Sequence, residues 1–191
     1  KLEFTRLLEE PDYQGRVSIN NLEAGALSGT SDLGLVSAEI DLRGRGTDLP
    51  GLYAEANLAF SQLQFRDYDY KSLALQARLD SGNLQTNIEH NSNELVMQAA
   101  LSGTLDSSAS ELELQLNLGG ARLSDLNLMD ENYKLALKLQ SRFEYMQSAM
   151  KLEAGLQELM VVSGQESYRV DSIYAKMRDG PDSSFIQLDS D

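Results

Sequence analysis

The sequence predicts an all-β, mostly antiparallel fold, on three observations. Apolar residues recur at every second position in run after run, the period of a strand with one buried face. Turn-forming residues separate these runs at intervals of roughly ten residues, as in a meander. Nearly every run also pairs a leucine-rich side with a side of Gln, Glu, Lys, Ser and Asn, so none reads as a strand buried on both faces. Tryptophan is absent and aromatics make up 7% of the 191 residues, so few large rings are available to fill a compact centre.

The elements follow in chain order. Lys1 to Glu10 fits a short helix ended by Pro11. Ala38, Ile40 and Leu42 mark a strand, as do Leu52, Ala54, Ala56, Leu58 and Phe60. Leu73, Leu75, Ala77 and Leu79 share one side of the next, with Ser72, Ala74, Gln76 and Arg78 on the other. Leu95, Met97, Ala99 and Leu101 form another. The cleanest alternation is Leu112, Leu114, Leu116 and Leu118 against Glu111, Glu113, Gln115 and Asn117. Tyr133, Leu135, Leu137 and Leu139 repeat it, continued in phase by Phe143 and Tyr145, and Ile173, Ala175 and Met177 give a late strand. Leu152 to Met160 instead matches a helical period, interrupted by Gly155. Ser81-Gly82-Asn83 reads as a hairpin turn, and Asn91-Ser92-Asn93, Asp106-Ser107-Ser108 and Asp179-Gly180-Pro181-Asp182 read as turns.

A diverged internal repeat covers approximately 52–90 and 150–191 within one repetitive β segment, 1–191. Phe60-Ser61-Gln62-Leu63-Gln64-Phe65, then Tyr68-Asp69-Tyr70-Lys71-Ser72-Leu73, is answered by Leu156-Gln157-Glu158-Leu159, then Ser167-Tyr168-Arg169-Val170-Asp171-Ser172-Ile173.

Composition excludes several function classes. The formal charge of −14, from 30 acidic and 16 basic residues, repels phosphate backbones and anionic head groups, so nucleic acid is not a partner. The charges form no cluster, which is the pattern of a solvated surface. Without cysteine there is no disulfide framework, zinc ribbon or thiol chemistry. No run of about 18 apolar residues spans a membrane, and Lys1 to Pro11 lacks the pattern of a signal peptide.

Catalysis finds no support either, and no cofactor is expected. His90 is the single histidine and lies between Glu89 and Asn91, in an expected solvated turn. No Gly-x-Ser-x-Gly nucleophile elbow occurs. Asp67 with Asp69, and Asp179 with Asp182, fall short of the ligand count of a calcium loop and read as turn residues. Gly44-Arg45-Gly46 lacks the length, the lysine and the following helix of a phosphate loop. Tyr68 and Tyr70 read as packing at a sheet edge.

Leu7-Leu8, Gly15-Arg16-Val17-Ser18 and Ala38-Glu39-Ile40-Asp41-Leu42-Arg43-Gly44-Arg45-Gly46 come first among a set of ordered motifs. Leu63-Gln64-Phe65-Arg66-Asp67-Tyr68-Asp69-Tyr70, Leu101-Ser102-Gly103-Thr104-Leu105-Asp106, Leu123-Ser124-Asp125-Leu126-Asn127-Leu128 and Ile186-Gln187-Leu188-Asp189-Ser190-Asp191 follow. In this order the chain resembles the TamB-like members of the AsmA-like superfamily, long envelope proteins of Gram-negative bacteria. Members are several times longer, so the resemblance implies an internal fragment. It further implies a curved, twisted, taco-like sheet with an apolar groove, in a periplasmic protein anchored in the inner membrane. The implied roles are phospholipid transport between the two membranes and help with outer-membrane assembly. The implied partners are phospholipid acyl chains and, through parts outside this chain, an outer-membrane barrel protein.

Two readings follow. In the first, Leu73, Leu75, Leu79, Leu112, Leu114, Leu116, Leu135, Leu137 and Leu139 line a lipid groove, and no reaction is catalysed. In the second, the apolar sides close on each other as a β-sandwich in a secreted structural or adhesion module.

Overall fold

The computed structural model describes residues 2–5, 11–106, 108–146, 149–180 and 183–190. Its strands are β1 (Leu2–Thr5), β2 (Asp12–Glu23), β3 (Leu33–Arg45), β4 (Tyr53–Phe65), β5 (Tyr68–Asp69), β6 (Leu73–Asp80) and β7 (Asn83–Asn91). They continue as β8 (Leu95–Thr104), β9 (Ala109–Arg122), β10 (Tyr133–Met146), β11 (Ala149–Ser163), β12 (Glu166–Gly180) and β13 (Ser183–Ser190), and one short helix, α1 (Ala24–Ser28), follows β2.

All belong to one open antiparallel sheet in which strands pair in sequence order, β5 lying off the path against the end of β4. Among the described residues, strands pack on their ladder neighbours and no second sheet faces the first. The closed-sandwich alternative is therefore overturned. Its premise, that leucine faces must meet each other, fails because the leucine-rich sides of the strands gather on one side of a single sheet.

The hairpins fix the register. Between β6 and β7, Ser81 (φ 50°) and Gly82 (φ 83°) both take positive φ, with Asp80 opposite Asn83. This is the two-residue turn whose twist matches that of the strands. This turn shares one rim of the sheet with the 46–52 connection. The opposite rim carries most of the long connections, α1 with its following loop, residues 66–72 with β5, and residues 123–132, beside the short turns at 92–94 and 164–165.

Register shifts also gather toward that second rim. They fall at Ile19/Leu22 in β2, at Leu33/Val36 in β3 and at Gly119 in β9, which is passed over between the pairs of Val96 and Met97. β10 meets them on both sides, between Leu135 and Leu137 and between Ala136 and Lys138. Each extra residue bends its strand and increases local twist. The sheet is thus regular beside the tight turns and bent beside the long connections.

Several expectations are corrected. Leu2–Thr5 is strand, whereas Lys1 and residues 6–10, including Leu7-Leu8, lie outside the described residues, so only part of the expected helix is addressed. Leu152 to Met160 is strand β11. Leu152, Ala154 and Leu156 alternate normally until Glu158 takes φ 52° at a bulge, after which Leu159 and Val161 resume. That single phase slip mimics a helical period. Asp179 and Gly180 are the last residues of β12, and Pro181 and Asp182 lie outside the described residues, as do Ser107 and Asp191. In the two segments compared as a repeat, Tyr70 sits in a connection and Tyr168 inside β12.

Gly103 takes φ 154° in β8, where a Cβ would stand 1.9 Å from the Glu111 carbonyl oxygen. Gly103→Ala should therefore cost about 1–3 kcal/mol. Gly120→Ala, where a Cβ would meet open space, should cost less than about 0.5 kcal/mol. Urea midpoints of the two variants check the contrast.

Candidate functional site

The register lines up like with like. Opposite residues from β2 to β12 run Val17, Ile40, Leu58, Leu75, Ile88, Ala99, Leu116, Leu139, Leu156 and Ile173. Every position in this row is apolar. A second row on the same side holds Gly15, Leu42, Ala56, Ala77, Thr86, Leu101, Leu114, Ser141, Ala154, Ala175 and Leu188. A third, nearer the tight turns, includes Tyr13, Leu79, Leu84, Leu112, Phe143, Leu152, Met177 and Ile186.

All nine leucines predicted from alternation share this face. Leu75, Leu116 and Leu139 lie in the first row, Leu114 in the second, and Leu79 and Leu112 in the third. Leu73, Leu135 and Leu137 extend it toward the long connections. Each is half-buried, none fully exposed or fully buried. With no layer above, this occlusion comes from neighbours on the same side, as expected for a face curved inward. Cross-strand apolar pairs contribute roughly 0.2–1 kcal/mol each relative to Ala–Ala, so the ladder replaces a conventional core.

The opposite face carries the charges. One of its rows reads Arg43, Glu55, Arg78, Gln85, Ser102, Glu113, Arg142, Glu153 and Lys176. Arg142 reaches Glu113 at 3.8 Å and Glu144 at 3.1 Å and also pairs with Glu111; Lys151 and Lys176 meet Glu153 at 3.4 and 3.6 Å. The hydrogen-bonded Lys151 ammonium holds the Glu153 carboxyl below its usual range. These pairs are exposed and linked, so they tune the register more than they add stability.

Toward the long connections the apolar face is partly covered. Residues 123–132 fold back so that Leu126, only 1% exposed, packs with Leu95 and Ala121. Tyr68, Tyr70, Met97, Leu118, Leu123, Leu128 and Leu135 surround them. Tyr68 and Tyr70 meet edge to face at 4.7 Å, and the Tyr68 hydroxyl donates to Glu94 at 3.2 Å. These tyrosines are anchors of a small plug, and the expectation of sheet-edge packing is revised accordingly. Leu123 to Leu128 belongs to this plug and not to a strand.

His90 is also corrected. It is no solvated turn residue but the eighth residue of β7, on the apolar face after Leu84, Thr86 and Ile88, opposite Met97 and 3% exposed. Its ring stands edge-on to Tyr70 at 5.8 Å, and neither ring nitrogen has a hydrogen-bond partner. Burial lowers its pKa, outweighing the attraction of Glu94.

Alternation located the predicted leucines and the Ile173 strand but missed other partners that join them, Val17, Ile88 and Leu156, because a row depends on register. It missed the plug because Leu123, Leu126 and Leu128 do not alternate. Among the described residues, no group of three or more His, Asp or Glu side chains is placed to hold a metal ion, and no helix is long and apolar enough to cross a membrane. Compared with protein-family models, curated proteins and solved structures, the chain matches none.

Half-burial of the central row predicts that Leu116→Ala costs about 1–2 kcal/mol, below the ~2–5 kcal/mol of a leucine sealed on all sides. Urea unfolding of that variant measures the difference.

Proposed function

We propose that this chain is a segment of a periplasm-spanning scaffold whose apolar face shields lipid acyl chains. Its role is phospholipid transport between membranes and outer-membrane assembly, without catalysis. One observation carries the reading: a row of ten apolar side chains crosses ten strands of an open sheet, with no opposing sheet among the described residues.

Each methylene taken from water gains about 0.8 kcal/mol, so an acyl chain needs only such a face and no specific polar contact. Ten strands spaced by about 4.8 Å give a row of roughly 43 Å. One acyl chain reaches about 15 Å, half of a hydrocarbon core near 30 Å thick. The row is longer than one chain, which suits passage from site to site better than capture at one place. The acidic, ion-paired opposite face keeps such a segment in water and away from anionic head groups. An outer-membrane barrel protein remains the partner proposed for regions outside this chain.

Purification from a bacterial host followed by native mass spectrometry and lipid extraction tests the reading. Phospholipid should co-purify with the wild type and be lost from Leu114→Asp and Leu139→Asp variants that keep the strand signature in circular dichroism. A lipid-free wild type under gentle extraction would support a purely structural module instead.

A further inference from the structure

The plug over the apolar face contains one group that does not suit its surroundings. His90 is nine-tenths buried on an apolar surface with both ring nitrogens unpartnered. An unpaired polar group in such a site is destabilising when neutral, and more so when charged. It touches the plug through Tyr70 and through Met97, its ladder partner, both of which pack around Leu126.

The covering connection is pinned at its base, where the Leu123 amide donates to the Tyr133 carbonyl of β10 at 2.9 Å. Its other backbone bonds are internal or to its own entry, among them Leu128 amide to Leu123 carbonyl at 2.9 Å, Asn127 amide to Ser124 carbonyl at 3.0 Å and Leu126 amide to Arg122 carbonyl at 3.1 Å. Its described hydrogen bond to the 66–72 connection runs from Asn127 Nδ2 to the Arg66 carbonyl, at 2.8 Å. The Arg122–Asp125 pair, at 3.7 Å, is exposed. Burial of Leu126 is therefore the main attachment.

We propose that His90 is an acid-sensitive latch: its protonation releases the 123–132 connection from the sheet and uncovers the apolar residues beneath, Leu95, Ala121 and Leu135. The inference stands whether or not the face carries lipid. The titratable groups facing His90 are Tyr70 from the β5–β6 connection and Glu94 from the β7–β8 turn; behind Tyr70 lies Tyr68 of β5, with Asp69 beside it. Strands β8, β9 and β10 present Met97, Leu118 and Leu135, which cannot compensate a charge. Glu94 is the one carboxylate that attracts the imidazolium, and it already accepts the Tyr68 hydroxyl.

The sign follows from linkage. Burial lowers the His90 pKa in the closed form, so the open form binds the proton more tightly. Closure is complete above the ordinary histidine range. It weakens as pH falls below about 6.5, and the loss saturates beneath the depressed closed-state value.

Hydrogen exchange read by mass spectrometry on the intact chain, corrected for intrinsic pH dependence, tests the latch. Peptides covering 123–132 should lose protection by up to about tenfold for each pH unit below 6.5, the slope of one linked proton, while residues 112–118 of β9 stay protected. His90→Phe keeps a ring against Tyr70 and removes the proton, so its protection should not change with pH. A wild type with no acid response, or a His90→Phe variant with the same response, would overturn the proposal. Should His90→Phe fail to fold, NMR of the wild type decides, since His90 is the only histidine. A titration midpoint below 6.5, shared by the Leu126 methyl signals, supports the latch. A midpoint at or above 6.5, or unmoved Leu126 methyls, refutes it.

Discussion

Everything in this molecule depends on the antiparallel register. Because side chains alternate with period two, shifting one strand by a single residue would send its leucines to the charged face and its charges to the apolar one. The register holds from β2 to β12, which is why Val17 and Ile173 end the same apolar row although eight strands lie between theirs. Tight hairpins such as Asp80 to Asn83 set it locally, and cross-strand ion pairs such as Arg142 with Glu113 favour the correct pairing on the outer face. Both devices are needed where no opposing layer selects the buried side.

A sheet held this way has an unusual distribution of burial. Among the described residues the fully buried apolar side chains are Val36, Ala38, Leu95, Ala121 and Leu126, all toward the rim of long connections. The rest of the apolar face is half-covered by its own neighbours. At the β13 end, Ile186 and Leu188 are 72% and 70% exposed, beside backbone that has no further strand among the described residues. The structure is anchored along one rim and open at its β13 edge. Bulges in β2, β9 and β11 bend it where it is anchored, which turns the apolar side inward.

Much of this was legible in the sequence, for a physical reason. Alternation is the direct imprint of a one-sided strand, so the runs at Leu73 to Leu79, Leu112 to Leu118 and Tyr133 to Leu139 could be read without any partner. What could not be read involves a second strand or a broken period. Open and closed arrangements of one-sided strands share the same pattern, and the sandwich fell only to the observed topology. The Glu158 bulge disguised β11 as a helix by slipping the phase once. His90 was taken for a turn because Glu89 and Asn91 flank it, although its spacing from Ile88 already placed it on the apolar side of β7. The plug was hidden because Leu126 is buried from within a turn, where periodicity carries no signal.

The proposed role rests on one face of the sheet, open except beneath the 123–132 plug, serving as an apolar track for lipid. Photo-crosslinking from a benzophenone side chain placed at Leu116 or at the neighbouring Gln115, in a Gram-negative host, tests it most directly. Leu116 lies on the apolar face and Gln115 on the charged one, one residue apart in β9. Phospholipid adducts from position 116 and none from position 115 are predicted. Equal labelling from both positions, or none from 116, would contradict the account.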